Sequence, residues 1–129
     1  MKNYHQLFTF ARNALENAYA PYSRFRVGAA VETDDGRIYT GCNVENVSYP
    51  CGTCAEAGAI AAMVCGGNKT IRRILITSDG SSPVTPCGAC LQRISEFADA
   101  DTEILLADCT GIRQTFKMAE LLPNAFKEF

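Results

Sequence analysis

The chain has 129 residues, of which 47% are hydrophobic and 20% charged, and a formal net charge of −2. These values predict one ordinary globular domain spanning 1–129 and exclude disorder, fibrous repeats and a second domain. The basic residues are scattered apart from Arg72-Arg73, so no field gathers a polyanion and nucleic acid is excluded as a partner.

The amino terminus, Met1 to Gln6, turns polar too early for a signal peptide. No apolar run approaches the roughly 18 residues of a membrane span. The expectation is a cytoplasmic protein with no membrane partner, whose seven cysteines are thiols. From Tyr4, the positions Leu7, Phe8, Ala11, Ala14, Leu15 and Ala18 keep the rhythm of an amphipathic helix, with Pro21 as its stop. His5, the only histidine, falls on this helix and reads as a surface residue.

Two strands follow, Phe25 to Val31 and Arg37 to Cys42, joined by the hairpin turn Asp34-Asp35-Gly36. The loop from Glu45 to Thr53 leads into an alanine-rich helix, Ala55 to Cys65, stopped by Gly66-Gly67. Arg73 to Thr77 and Glu103 to Ala107 read as buried strands around a helix from Cys90 to Ala98. That βαβ rhythm predicts a parallel pair with a right-handed crossover. A short strand around Arg113 to Phe116 and a short helix at Met118 to Leu122 complete an α/β fold with a mixed sheet of about five strands flanked by helices.

The chemistry concentrates at Cys54-Ala55-Glu56 and Pro86-Cys87-Gly88-Ala89-Cys90. Zn²⁺ takes four tetrahedral ligands, and a catalytic site draws three from protein and leaves the fourth for water. Cys54, Cys87 and Cys90 provide three, and Glu56 stands two residues from a ligand, where a carboxylate can act without binding metal. Zinc nucleobase deaminases share this layout, in His/Cys/Cys or Cys₃ form. All three cysteines fall at helix N-termini, whose orphan N–H groups favour thiolates.

Two alternatives use the same residues. Cys51 and Cys54 form a second C-x-x-C that, with Cys87 and Cys90, would make a closed Cys₄ site in a non-catalytic binding module. The pairs lie farther apart than the roughly 15 to 20 residues of common zinc ribbons. A thioredoxin-like redox pair at Cys87 and Cys90 would leave Cys54 and Glu56 without a role. Cys42, Cys65 and Cys109 have no motif around them and read as core.

With Tyr19-Ala20-Pro21-Tyr22-Ser23-Arg24-Phe25, Gly41-Cys42-Asn43-Val44-Glu45-Asn46 and Glu120-Leu121-Leu122-Pro123-Asn124-Ala125-Phe126 added, nearly the whole chain resembles the small homotetrameric cytidine deaminases that act on free nucleosides. The resemblance implies a three-layer α/β/α sandwich, Zn²⁺ on Cys54, Cys87 and Cys90, and Glu56 as proton shuttle in the conversion of cytidine and deoxycytidine to uridine and deoxyuridine in pyrimidine salvage. It further implies that Asn43 and Glu45 hold the ribose hydroxyls and that Phe25 stacks on the base. The Ala55 N–H and the Thr85 carbonyl would read the pyrimidine edge, and Phe126 would reach a neighbouring subunit's site. Tyr49 is a weaker substrate-site candidate. The rival substrates are a modified cytosine nucleoside and a blasticidin S-like compound, the latter disfavoured by the Asn43 and Glu45 pair.

The chain departs from the family where Arg often follows C-A-E and P-C-x-x-C, since those positions are Ala57 and Leu91. Three thiolates around Zn²⁺ already carry excess negative charge before Glu56 is counted. Arg93, one helical turn beyond Cys90, is the expected replacement cation.

Overall fold

The computed structural model describes residues 4–129; Met1 to Asn3, on which the reading of the amino terminus partly rests, lie outside the described residues. In chain order the elements are α1 (Tyr4–Leu15), β1 (Val27–Thr33), β2 (Ile38–Cys42), a 3₁₀ turn (Tyr49–Cys51), α2 (Ala55–Cys65), β3 (Ile71–Ser78), α3 (Gly88–Glu96), β4 (Glu103–Ala107), β5 (Ile112–Lys117) and α4 (Met118–Leu121). The strands form one sheet in the order β2-β1-β3-β4-β5. Only β3 and β4 run parallel, with Arg73 opposite Glu103 and Thr77 opposite Ala107, and α3 is their crossover. The β1–β2, β1–β3 and β4–β5 pairs are antiparallel.

Strand alternation sends successive side chains to opposite faces and so builds two cores. Ala30, Leu75 and Leu105 pack beneath Leu7 and Ala11 of α1. Val31, Ile74, Ile76, Ile104 and Leu106 pack on the other face against Ala59 and Met63 of α2 and Leu91 and Ile94 of α3. The architecture is therefore the expected helix–sheet–helix sandwich. Two glycines set its spacing: a Cβ on Gly28 would lie 2.1 Å from the Ala11 carbonyl oxygen, and one on Gly41 would lie 2.3 Å from the Ala59 nitrogen. Gly41 thus seats α2, and with it the start of the helix, against β2.

Several expectations are corrected. The first helix ends at Leu15, well before Pro21, because Tyr19 leaves the helical path to bridge Val44. The Tyr19 N–H donates to the Asn43 carbonyl at 3.0 Å, and the Tyr19 carbonyl accepts from the Glu45 N–H at 2.8 Å. The three motif-free cysteines are not core: Cys65 and Cys109 are exposed and Cys42 is half-buried. Cys65 ends α2 off its buried face, which runs through Ala55, Ala59, Ile60 and Met63. Cys109 lies between β4 and β5, and Cys42 ends an edge strand that is half-buried throughout. The third helix spans Gly88–Glu96 rather than beginning at Cys90, with Cys87 as its N-cap. His5 is exposed, as expected. Among the described residues no helix is long and apolar enough to cross a membrane.

Candidate active site

The parallel β3–α3–β4 unit sends its chain from the end of β3 into the N-terminus of α3, where α2 is α3's neighbour. Cys54 is the N-cap of α2 in extended conformation (φ −79°, ψ 156°), and Cys87 holds the same place on α3 (φ −69°, ψ 170°). Cys90 lies in the first turn of α3. The three sulfur atoms lie within 4.8 Å of one another, the one such group of potential metal ligands among the described residues. Cys51 is outside it, and its thiol instead donates to the Ser48 hydroxyl at 3.6 Å.

Electrostatics differ sharply within this group. N–H groups at Cys90 and Ala89 hold the Cys87 thiol below the usual thiol range. Cys90 is 1% exposed, and burial, Glu56 and Cys54 together push its thiol far up. A metal ion coordinated by that thiol would displace its proton outright. Three convergent sulfurs therefore fit a thiophilic divalent metal such as Zn²⁺. Glu56, on the first turn of α2, is 6% exposed; burial raises its carboxyl above the ordinary range, against the opposing pull of Arg93 and Cys90.

Arg93 stands where the sequence placed it: its Nη1 donates to the Cys90 sulfur at 3.4 Å. The two positions where family members often carry Arg serve otherwise here. Leu91 belongs to the core under α3, and Ala57 is half-buried on α2.

The thiols open into a cavity of about 640 Å³. Its walls include Asn43, Glu45, Ala55, Glu56, Thr85 and Tyr49, all singled out in the sequence. Tyr22 and Ser23 also line it, although the sequence reading gave them no role in the site; Tyr22 packs edge-on to Tyr49 with ring centroids 6.3 Å apart. No Lys, Arg or His is among the lining residues. Phe25 is half-buried and outside the lining, its ring lying toward Gly80. Phe126 is likewise outside, 62% exposed, stacked on Phe129 at 6.0 Å and held by Gln92 Nε2 donating to its carbonyl at 2.7 Å.

Asn43 and Glu45 face the cavity already engaged. The Asn43 side-chain amide donates to the Phe25 carbonyl at 2.9 Å and accepts from the Val27 N–H at 2.8 Å. Glu45 Oε1 accepts the N–H groups of Tyr22 and Ser23 at 2.9 and 3.1 Å, and Oε2 accepts the Ser23 hydroxyl. The Ser23 hydroxyl, followed by its N–H, holds the Glu45 carboxyl below its ordinary range, so it is ionised at neutral pH.

Residues 1–106 match the family model for the cytidine and deoxycytidylate deaminase zinc-binding region. A cytidine deaminase from Halalkalibacterium halodurans is 43% identical over 116 residues, covering 90% of this chain and 88% of that one. One from Sporosarcina psychrophila is 40% identical over 123 residues, covering 95% and 90%. A crystal structure of cytidine deaminase from Burkholderia pseudomallei superposes with a TM-score of 0.89 at 39% identity, over 98% of this chain and 100% of that one.

Proposed function

The chain belongs to the cytidine and deoxycytidylate deaminase family, and from that membership we propose that it hydrolytically deaminates cytidine and deoxycytidine to uridine and deoxyuridine, as a cytoplasmic enzyme of pyrimidine salvage. The observation that carries the reading is the buried Glu56 beside three sulfurs that converge within 4.8 Å at one end of the cavity. Cys54, Cys87 and Cys90 would hold the zinc. Bound there, Zn²⁺ acidifies water from a pKa of about 15.7 towards about 7, which makes a nucleophile available at neutral pH.

The chain's own residues supply the rest. Glu56 takes the proton of the attacking water as C4 is approached, delivers it to ring N3, and then helps protonate the departing amine, so that cytidine and water give uridine and ammonia. One carboxylate serves first as base and then as acid, a role suited to a group whose proton affinity burial has raised. The Ala55 N–H and the Thr85 carbonyl, both at the cavity wall, read the pyrimidine edge. Asn43 and Glu45 hold the sugar hydroxyls, and Phe25 is assigned to the base face on the family resemblance.

A lining without cations, an ionised Glu45 and thiolates at the cavity's end repel a phosphate, which favours a nucleoside over a nucleotide. The single domain is read as a homotetramer, with Phe126 reaching a neighbouring site. The exposure of Phe126, and of Tyr22 and Tyr49 at the cavity, supports a surface covered by further copies.

The test is Glu56→Gln. It keeps zinc bound and lowers the rate of cytidine loss, followed by absorbance, by about 10² to 10⁴. A Glu56→Gln protein that turned cytidine over like the wild type would show that the carboxylate moves no proton in this reaction.

A further inference from the structure

The strap 19–27, which crosses from α1 to β1, is wired to Asn43 and Glu45 at both ends. Tyr19 is tied to the backbone of Asn43 and Glu45, and Phe25 and Val27 to the Asn43 side chain. Between them, Glu45 gathers three donors from only two residues, Tyr22 and Ser23.

Ser23 is the branch point of this wiring. Its hydroxyl donates to Glu45 Oε2 and accepts the Phe25 N–H at 3.0 Å, spanning Arg24. Arg24 has φ 57°, the left-handed region that a side chain with a Cβ seldom enters, and its N–H donates to the Ala20 carbonyl at 2.9 Å. No other non-glycine residue among those described adopts a positive φ. Such a conformation persists where its surroundings over-determine it. Here the bonds on either side of Arg24, made by Ser23 and Ala20, do so.

An ionised carboxylate offers about four acceptor positions and no donor. In Glu45 two positions on Oε1 are filled by N–H groups and one on Oε2 by the Ser23 hydroxyl, so the remaining position is on Oε2. It can take only a donor, and both Glu45 and Ser23 line the cavity. We propose that Ser23 is the positioning residue for sugar selection: its hydroxyl fixes Glu45 so that the one vacant position on Oε2 receives a sugar-ring hydroxyl. This rests on the nucleoside reading given above. Ser23 itself need not touch the substrate, because it acts through the carboxylate it orients.

The experiment compares the wild type, Ser23→Ala and Ser23→Thr on cytidine and on 2′,3′-dideoxycytidine, which keeps the base and lacks both ring hydroxyls. Ser23→Ala is expected to lose roughly tenfold or more in kcat/KM on cytidine, chiefly through KM, and to stay within about twofold of the wild type on the dideoxy substrate. Ser23→Thr, which retains the hydroxyl, restores cytidine selectivity. Equal losses on both substrates would reduce Ser23 to framework and overturn the proposal, as would an unchanged preference in Ser23→Ala. Calorimetric binding of uridine and 2′,3′-dideoxyuridine to the same three proteins reads the selection without turnover. A wild type that binds uridine selectively yet leaves cytidine intact would therefore defeat the catalytic reading and still test Ser23.

Discussion

Removing the Arg93 charge should loosen the metal more than it disturbs the fold. Zn²⁺ with three thiolates carries a net −1, Glu56 makes it −2, and no cation lines the cavity, so the guanidinium 3.4 Å from the Cys90 sulfur is the near counter-charge on α3. At that separation the Coulomb attraction is about 5 kcal/mol at an effective dielectric of 20 and about 1 kcal/mol in bulk water. Arg93 is exposed overall while the sulfur it touches is buried, so the net value falls between those limits. It matches the roughly 1.5–3 kcal/mol typical of a hydrogen bond to a charged group. Arg93→Gln should therefore weaken zinc binding by about 10- to 100-fold, the span usual for partners that brace metal ligands. Arg93→Lys, which keeps the charge but lacks the planar fork, should lose less. Competition with a chromophoric chelator gives the affinity, and thermal unfolding of the zinc-free proteins shows whether the fold is intact. If Arg93→Gln held zinc as tightly as the wild type, the charge argument would fail, and the helix N-termini at Cys54 and Cys87 would have to offset the thiolates by themselves.

Cys51→Ser separates the catalytic site from a closed Cys₄ module: zinc content and cytidine turnover should both stay at wild-type levels, since Cys51 bonds Ser48 and stands apart from the three sulfurs. A loss of zinc in this variant would restore the four-cysteine alternative. Acid should destabilise the zinc-free protein in a defined direction. Arg26 holds Asp79 below the ordinary carboxyl range, and Arg113 does the same for Asp108. A group with a depressed folded-state pKa contributes stability that is present above its unfolded value of about 3.9 and is lost as pH falls towards the folded value. The unfolding midpoint should therefore drop below about pH 4, with a shallower drop in Asp79→Asn. A midpoint that did not fall between about pH 5 and pH 3 would contradict the ion-pair assignment.

What the sequence disclosed follows from what sequence patterns encode. The alternation of Val31, Ile74, Ile76, Ile104 and Leu106 against α2 and α3 is periodic, and C-A-E with P-C-G-A-C is a local spacing; both were legible. The convergence of Cys54 with Cys87 and Cys90 was legible too, because a parallel β3–β4 pair obliges α3 to begin at the end of the sheet where β3 finishes. The early end of α1 was not, since Ala18 continues the apolar rhythm and the force that stops the helix is a backbone pairing to Asn43 and Glu45, remote in sequence. Cys65 misled for a related reason: a small thiol at the last position of a buried helix looks like packing until the face it occupies is known.

Asn43 and Glu45 show the limit most clearly. As a polar pair in a loop they suit the hydroxyls of a sugar, and the cavity includes both. Yet most of their hydrogen-bonding capacity is spent on Tyr22, Ser23, Phe25 and Val27. Bonds from side chain to backbone across 16 to 23 positions leave no periodic trace. The consequence is mechanistic: residues that brace the wall give a substrate only the donors and acceptors left over. On the proposed reading, the geometry of those remainders, one position on Glu45 Oε2 above all, would decide which sugars fit. On that reading selectivity would be a property of the strap as much as of the residues that touch the ligand, and substitutions at Ser23 or Arg24 should change substrate preference while the three clustered cysteines and Glu56 stay in place.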